Sequence, residues 1–350
     1  MLKTSLTSVA ALLGFAGLSM ADVPKVATDI APVHGLVARV MQGVGEPSLV
    51  VPVGASPHDH SMRPSEALAL SQADLVFWVG EALTPWLEGA VEELAKDAQV
   101  VELMTLEGGL ALPFRQGVGF EAHDHGDSHD EHDDHGHTAK AHEEHEEHAE
   151  SDHAHDHEHD HDEGHEEGHA HEEDHHGHDH DGLDPHVWLA PENATLWLDV
   201  IAAELSALDG ENAATYAANA AAGKVEIQQV QAEIKASLSA VRDGGFVVFH
   251  DAYQYFEHSF DIQAAGAIAL SDASDPSPAR IAEIQQVVAQ KQVSCVFSEP
   301  QFNPDLVATV LEGSGAKTVV IDPMGTGLEH GAGFYPALLK ELGAAMADCY

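Results

Sequence analysis

Asp74-Leu75-Val76-Phe77-Trp78-Val79 is a nearly continuous apolar run. A strand with one wet face alternates apolar and polar residues; one covered on both faces by helices does not. This run therefore predicts a buried strand of a parallel sheet, and parallel strands need helical crossovers between them. The flanking sequence supplies them. Lys25 to Thr28 reads as a first short strand, and Pro32 suits a helix start, with Val33, Leu36, Val37 and Val40 at helical spacing. Ser48 to Val53 reads as a second strand, Gly54 to Pro64 as a turn-rich loop, and Ser65 to Leu70 as the beginning of a helix. After the central run come a helix over Leu83 to Ala95 and a strand over Gln99 to Met104. The order is β-α-β-α.

Residues 121 to 184 break that alternation. They hold 21 of the 28 histidines and 26 of the 60 acidic residues, and Lys140 is their only lysine or arginine. Such a segment buries too little apolar surface to offset the entropy of ordering its backbone, so disorder is expected. Its imidazoles and carboxylates suit zinc, nickel or copper(II). An acidic solubilising loop would explain the Asp and Glu but not the His.

Beyond the tract, Pro191 to Leu208 restarts helix. A longer helix is expected from about Glu211 to about Val241, with Tyr216, Ala220, Ile227, Val230, Ile234, Leu238 and Val241 near a 3.6-residue period. Gly223 is its weak point, where a break would fall. The second half then repeats the first. Strands are expected at Phe246 to Phe249, Val293 to Phe297 and Thr318 to Ile321. Helices are expected at Tyr253 to Phe260, from Pro278 through Val288, at Pro304 to Leu311 and at Phe334 to Met346. The fold class is α/β, with two parallel-sheet lobes and one long helix between them. The expected boundaries are a secretory leader at 1–21, an N-terminal lobe at 22–210 containing the disordered loop 121–184, a connecting helix at 211–241 and a C-terminal lobe at 242–350.

The leader reading rests on Lys3, the apolar stretch Val9 to Leu18 and the small-residue site ending at Ala21. The apolar stretch is shorter than the twenty or so residues of a membrane helix. In an exported chain, the two cysteines, Cys295 and Cys349, predict one disulfide. Formal net charge is -46. That balance repels nucleic acid and anionic membrane and favours cations.

Seven histidines lie outside the tract: His34, His58, His60, His186, His250, His258 and His330. His58 follows the second strand, His250 follows Phe246 to Phe249, and His186 lies where the tract rejoins the fold. Asp322 follows the last strand. Open α/β sheets place ligands at the carboxyl ends of their strands. Three imidazoles and a carboxylate there make a candidate zinc site. His60 reads as a neighbour of that site or as loop surface. Glu299 would either orient a ligand histidine through its second nitrogen or satisfy backbone donors. Asp251 is expected to cap the helix after it, and the four tryptophans to be core. His165-Glu166-Glu167-Gly168-His169 and His171-Glu172-Glu173-Asp174-His175 match H-E-x-x-H. A tract this rich in His and Glu produces that pattern by chance, and the zinc-protease reading needs a structured helix. No G-x-S-x-G supports a serine hydrolase, and no enzyme is expected.

Five stretches carry a resemblance. They are Gly54-Ala55-Ser56-Pro57-His58-Asp59-His60-Ser61-Met62-Arg63-Pro64, Asp184-Pro185-His186-Val187-Trp188-Leu189, Phe249-His250-Asp251-Ala252-Tyr253-Gln254-Tyr255-Phe256, Phe297-Ser298-Glu299-Pro300-Gln301-Phe302 and Ile321-Asp322-Pro323-Met324-Gly325. In this order they resemble the cluster A-I (cluster 9) solute-binding proteins of metal ABC transporters, over nearly all of the mature chain. The resemblance implies two (β/α)4 lobes joined by one rigid long helix, with metal bound between them. It implies His58, His186 and His250 as ligands, with Asp322 as the acidic candidate. Histidine rather than glutamate at position 250 goes with zinc-type members, as does a His-rich insertion before the second ligand. The paired cysteines match the disulfide of enterobacterial relatives. Some of those relatives carry a glutamate, considered as an additional ligand, where this chain has Pro57, so here Asp322 or water must complete the shell. The implied cargo is Zn²⁺, with one tight site and weaker sites in the tract. The implied partner is the membrane permease of a zinc importer, and an accessory periplasmic zinc-binding protein is a further candidate. A periplasmic monomer is expected, with no nucleic-acid partner. The rival reading is a periplasmic metal store or chaperone. Capture of zinc by the tract is favoured over buffering, on the expectation that both its ends attach to the lobe bearing His58 and His186.

Overall fold

The computed structural model describes residues 23–120, 182–239, 245–269 and 276–349. The leader and the His-rich tract up to residue 181 lie outside the described residues.

Two four-stranded parallel sheets organise the chain. The first contains β1 (Val26–Thr28), β2 (Ser48–Leu49), β3 (Leu75–Trp78) and β4 (Gln99–Glu102), in the order β2-β1-β3-β4. The second contains β5 (Phe246–His250), β6 (Gly266–Ala269), β7 (Cys295–Ser298) and β8 (Lys317–Val320), in the order β6-β5-β7-β8. Every ladder within them is parallel. The two sheets thus share one topology. As the apolar run predicts, β3 is buried along its whole length.

Helices α1 (Ala31–Val40), α2 (Pro64–Ser71), α3 (Pro85–Leu94), α4 (Pro191–Leu208), α7 (Pro278–Gln290) and α8 (Pro304–Leu311) each carry proline in the first two positions. There the missing N–H would be unpaired anyway and the fixed φ is already helical. Two further helices are α6 (Gln254–Phe260) and α9 (Phe334–Asp348). The strand expected at Ser48 to Val53 is assigned only to Leu49. Its backbone pairing still continues, with the Val50 and Val51 amides donating to Thr28 and Asp29 before Pro52 ends the ladder.

The long helix is α5, Ala213–Leu238, 26 residues, or about 39 Å at 1.5 Å per residue. It does not break at Gly223. A Cβ there would meet Leu198 Cδ1 at 3.0 Å and Arg39 Cγ at 3.1 Å, so glycine is what lets α4 and α1 close onto α5. Arg39 also forks onto Glu226 at 2.9 and 3.0 Å. Near the other end, Gly343 of α9 meets Ile234 just as closely. The helix is therefore clamped by partners from both halves and is a strut rather than a hinge. Spin labels at Glu92 on α3 and Asp305 on α8 should keep their separation to within a few Å on zinc binding, unlike the wide closure of hinged receptors. A large contraction would rule out the strut.

One connection departs from expectation. Residues 112–120 leave the first half and run onto the second. Gly119 bridges Gly266 at the edge of the second sheet, and the Phe120 amide donates to Ala265 O. Lys291 and Arg280 donate to the carbonyls of Phe120 and Gly117. Where the chain returns, Pro113 bridges Leu183 and the Asp184 amide donates to Leu112 O at 2.8 Å. The two ends of the tract are therefore not both held on the lobe of His58, because its first residues follow a segment seated on the second sheet. Gly182 to Asp184 also belong to the fold and not to the tract.

Candidate metal centre

His250 is the last residue of β5, not a residue of the following loop. His186 directly precedes a short 3-10 turn, Val187–Leu189. His58 sits on the loop after β2, held by the Ser56 hydroxyl at its amide and by Trp86 Nε1, which donates to Pro57 O at 2.8 Å. The three imidazoles line one cavity of about 120 Å³, walled by Trp188, Met324 and Thr326. Ring centroids lie 5.4 Å apart for His58 and His186 and 5.3 Å apart for His186 and His250. His58 Nε2 and His186 Nε2 are 3.4 Å apart. Two nitrogens bound tetrahedrally to zinc at about 2.0–2.1 Å stand roughly 3.3–3.4 Å apart, and this separation matches that edge. Among the described residues no three His, Cys, Asp or Glu already form a finished cage. The imidazoles form a row in which His186 is the middle member.

The two buried histidines are oriented from behind. His186 Nδ1 donates to Asp184 Oδ1 at 2.7 Å, and His250 Nδ1 donates to Glu299 Oε1 at 2.6 Å. A carboxylate on Nδ1 fixes the tautomer and leaves the Nε2 lone pair as the ligating one. Glu299 thus makes the contact with the second nitrogen of His250 that the first of its two expected readings requires. The role of Asp184 was missed; its signal was an acid two residues before a candidate ligand. Burial pushes the Asp184 carboxyl up to about 7, opposed by the His186 amide and the charge of Arg115. A divalent cation nearby favours its ionised form. Asp184→Asn and Glu299→Gln should each weaken zinc binding about 10- to 100-fold, the usual effect of losing such a partner. Competition with a zinc-chelating dye measures this, and unchanged affinity in both variants would refute the orienting role.

The other candidates are engaged elsewhere. Asp322 Oδ1 accepts from the amides of Met324 and Gly325 at 2.9 and 3.0 Å, and Oδ2 from the amide and hydroxyl of Thr326. Its carboxylate shapes the loop that brings Met324 and Thr326 to the cavity, and it is not among the cavity's lining residues. His60 Nε2 pairs with Glu66 Oε2 at 2.9 Å, and Glu66 also accepts the Arg63 amide at the start of α2. Asp251 does not cap α6. It receives Arg115, which also forks onto Glu257 at 2.7 and 3.0 Å, on the segment crossing from the first half. Burial raises Asp251 to about 6, and Arg115 is the largest influence opposing it. Trp188, Trp197 and Trp78 are buried. Trp188 Nε1 donates to Pro323 O at 3.0 Å, tying the His186 turn to the Asp322 loop.

Twin four-stranded parallel sheets, a long strut helix and a cavity of imidazoles make up a two-lobed α/β binding protein with a site suited to a metal ion. Sequence comparison then gives the family. The profile of the zinc-uptake complex component A, periplasmic, ZnuA, matches residues 26–349, and the chain belongs to that family. It is 41% identical over 339 residues to the high-affinity zinc uptake system protein ZnuA of Brucella abortus (strain 2308), covering 97% of this chain and 95% of that one. It is 41% identical over 351 residues to the protein of the same name from Paracoccus denitrificans (strain Pd 1222), covering 100% and 99%. Among solved structures, a mutant of the laminin-binding adhesin Lmb from Streptococcus agalactiae shares the fold, with TM-score 0.67, 20% identity, and coverage of 93% of this chain and 99% of that one. The chain is a periplasmic, non-catalytic zinc-transport component, and its family implies a cognate ABC permease. The disulfide expected from the cysteines is present between Cys295 and Cys349.

Proposed function

We propose that His58, His186 and His250 hold the Zn²⁺ that this receptor delivers to its permease, with water or Asp322 fourth. The observation carrying the assignment is the pair of buried imidazoles whose Nδ1 atoms are taken by carboxylates while all three rings border one cavity. Four hydrogen bonds already accepted by Asp322 favour water in the fourth place. The protein works as a monomer, and an accessory periplasmic zinc-binding protein is a further partner.

The tract adds weaker zinc sites, because each must order backbone before it gains ligand bonds. It feeds the cleft, since its far end rejoins the fold beside Asp184, the partner of His186. Metal content and affinity test the assignment, in the chain with and without residues 123–179, a cut that spares Asp184. One tight zinc per chain should survive the deletion while the weaker equivalents disappear. Loss of the tight site would instead favour a metal store, with the lobes as scaffold.

A further inference from the structure

His34 and His330 lie outside the cleft site. His34 sits in the first turn of α1, and His330 in the loop between β8 and α9, so the pair joins the two halves of the chain. Their ring centroids are 5.5 Å apart at an interplanar angle of 54°. The two cleft pairs have 5.4 Å with 59° and 5.3 Å with 63°. Spacing and tilt are thus those of imidazoles that the proposed zinc site uses.

Three further observations point to a ligand. The pair lines a second cavity of about 430 Å³ with Gln42 and Glu46. His34 Nε2 lies 3.1 Å from Pro47 O. A carbonyl only accepts, so Nε2 carries the proton and Nδ1 keeps its lone pair for a ligand. A backbone carbonyl behind one ring nitrogen is a recurrent support for a metal-ligating histidine. Burial, with the neighbouring His330, keeps His34 below the usual histidine range and hence neutral, while Glu46 adds negative charge beside it. His330 is exposed, with its ring edgewise on Phe334.

We propose that His34 and His330, completed by Glu46 or water, form a second site for a borderline divalent ion such as Zn²⁺ at the seam between the two halves. A simple packed histidine pair needs neither the polar cavity nor the carboxylate beside it. With two histidines against the three that line the cleft cavity, the site is weaker than the cleft. The ion would link α1 to the loop that also carries Met324 and Thr326, and occupancy would stiffen one wall of the cleft.

The test uses the full mature chain, with free Zn²⁺ set by a chelator buffer near pH 7.5, where His is largely neutral. Histidines are modified with diethyl pyrocarbonate and read by peptide mass spectrometry, with exposed His258 as internal reference. Reactivity at His34 and His330 should fall together along one binding curve, by about tenfold at ten times the dissociation constant. His258 should not change. The curve should persist in His250→Ala, which separates this site from the cleft. In His330→Ala the zinc protection of His34 should vanish. A His330 whose reactivity ignores zinc would overturn the proposal, and so would a His34 still protected in His330→Ala.

Discussion

Alanine at His250 is expected to weaken the tight zinc site by on the order of a hundredfold or more, since losing even an outer partner costs about 10- to 100-fold. His250 is 3% exposed and its Nδ1 is fixed by Glu299. Its Nε2 is therefore the only ligating atom the second sheet offers among the three histidines. The substitution also removes the donor to Glu299 Oε1, on a side chain with no exposed surface, while Gln301 Nε2 still donates to Oε2 at 2.8 Å. Losing one hydrogen bond to a buried charged group costs about 1–3 kcal/mol, so the apo protein should also melt earlier. His58→Ala separates the two effects. His58 is half-exposed on a loop whose anchors, Ser56 at its amide and Trp86 at Pro57, are untouched by the change. It should lose zinc affinity with an unchanged melting temperature. Titration calorimetry on the chain lacking residues 123–179 reads the tight site alone. Wild-type affinity in His250→Ala would refute the ligand assignment.

Loss of the disulfide should cost stability rather than metal affinity. Cys295 opens β7 and Cys349 follows α9, with Cα atoms 5.5 Å apart and a sequence separation of 54. Cross-linking a loop of that size removes freedom mainly from the unfolded chain and is worth about 2–4 kcal/mol. Both cysteines are buried, so a mild reductant should act slowly on the native protein. Cys349→Ser, or full reduction after unfolding, should lower the denaturant midpoint while zinc affinity persists. An unchanged midpoint would show that the bond contributes nothing.

Much of the fold was legible because its signals are local. The apolar runs gave most of the parallel strands, and Pro32, Pro191, Pro278 and Pro304 marked helix starts. Strand β6 was missed. Ala264 to Ala269 is made of small residues, with Ile268 the only β-branched one, so its propensity is weak. The strand is an edge covered by the crossing segment, and a Cβ on Gly266 would collide with Val118 O. Its small residues answer a neighbour far away in sequence. The Ser48 to Val53 strand was overextended because apolar residues continue past the point where Pro52 stops the ladder.

The candidate site divides in the same way. Two of its three histidines were legible at or just past strand ends, the third where the tract rejoins the fold, and the two cysteines as a pair. Their supporting partners were not all legible. Glu299 joins His250 across 49 residues, and Arg115 joins Asp251 across 136. Asp184 is near in sequence, yet only burial among His186, Gln254 and the Leu112 backbone makes it an orienting group instead of the last acid of a tract. Asp322 is also local, and the turn after it engages all of its oxygen lone pairs. By itself the sequence determined the two lobes, the long helix and the disulfide, and offered three histidines as candidates, because period, composition and residue chemistry act over a few positions. Only the tertiary structure decided which carboxylate faces which imidazole and which sheet receives the segment leading into the tract. Those choices depend on buried groups finding partners once packing has excluded water.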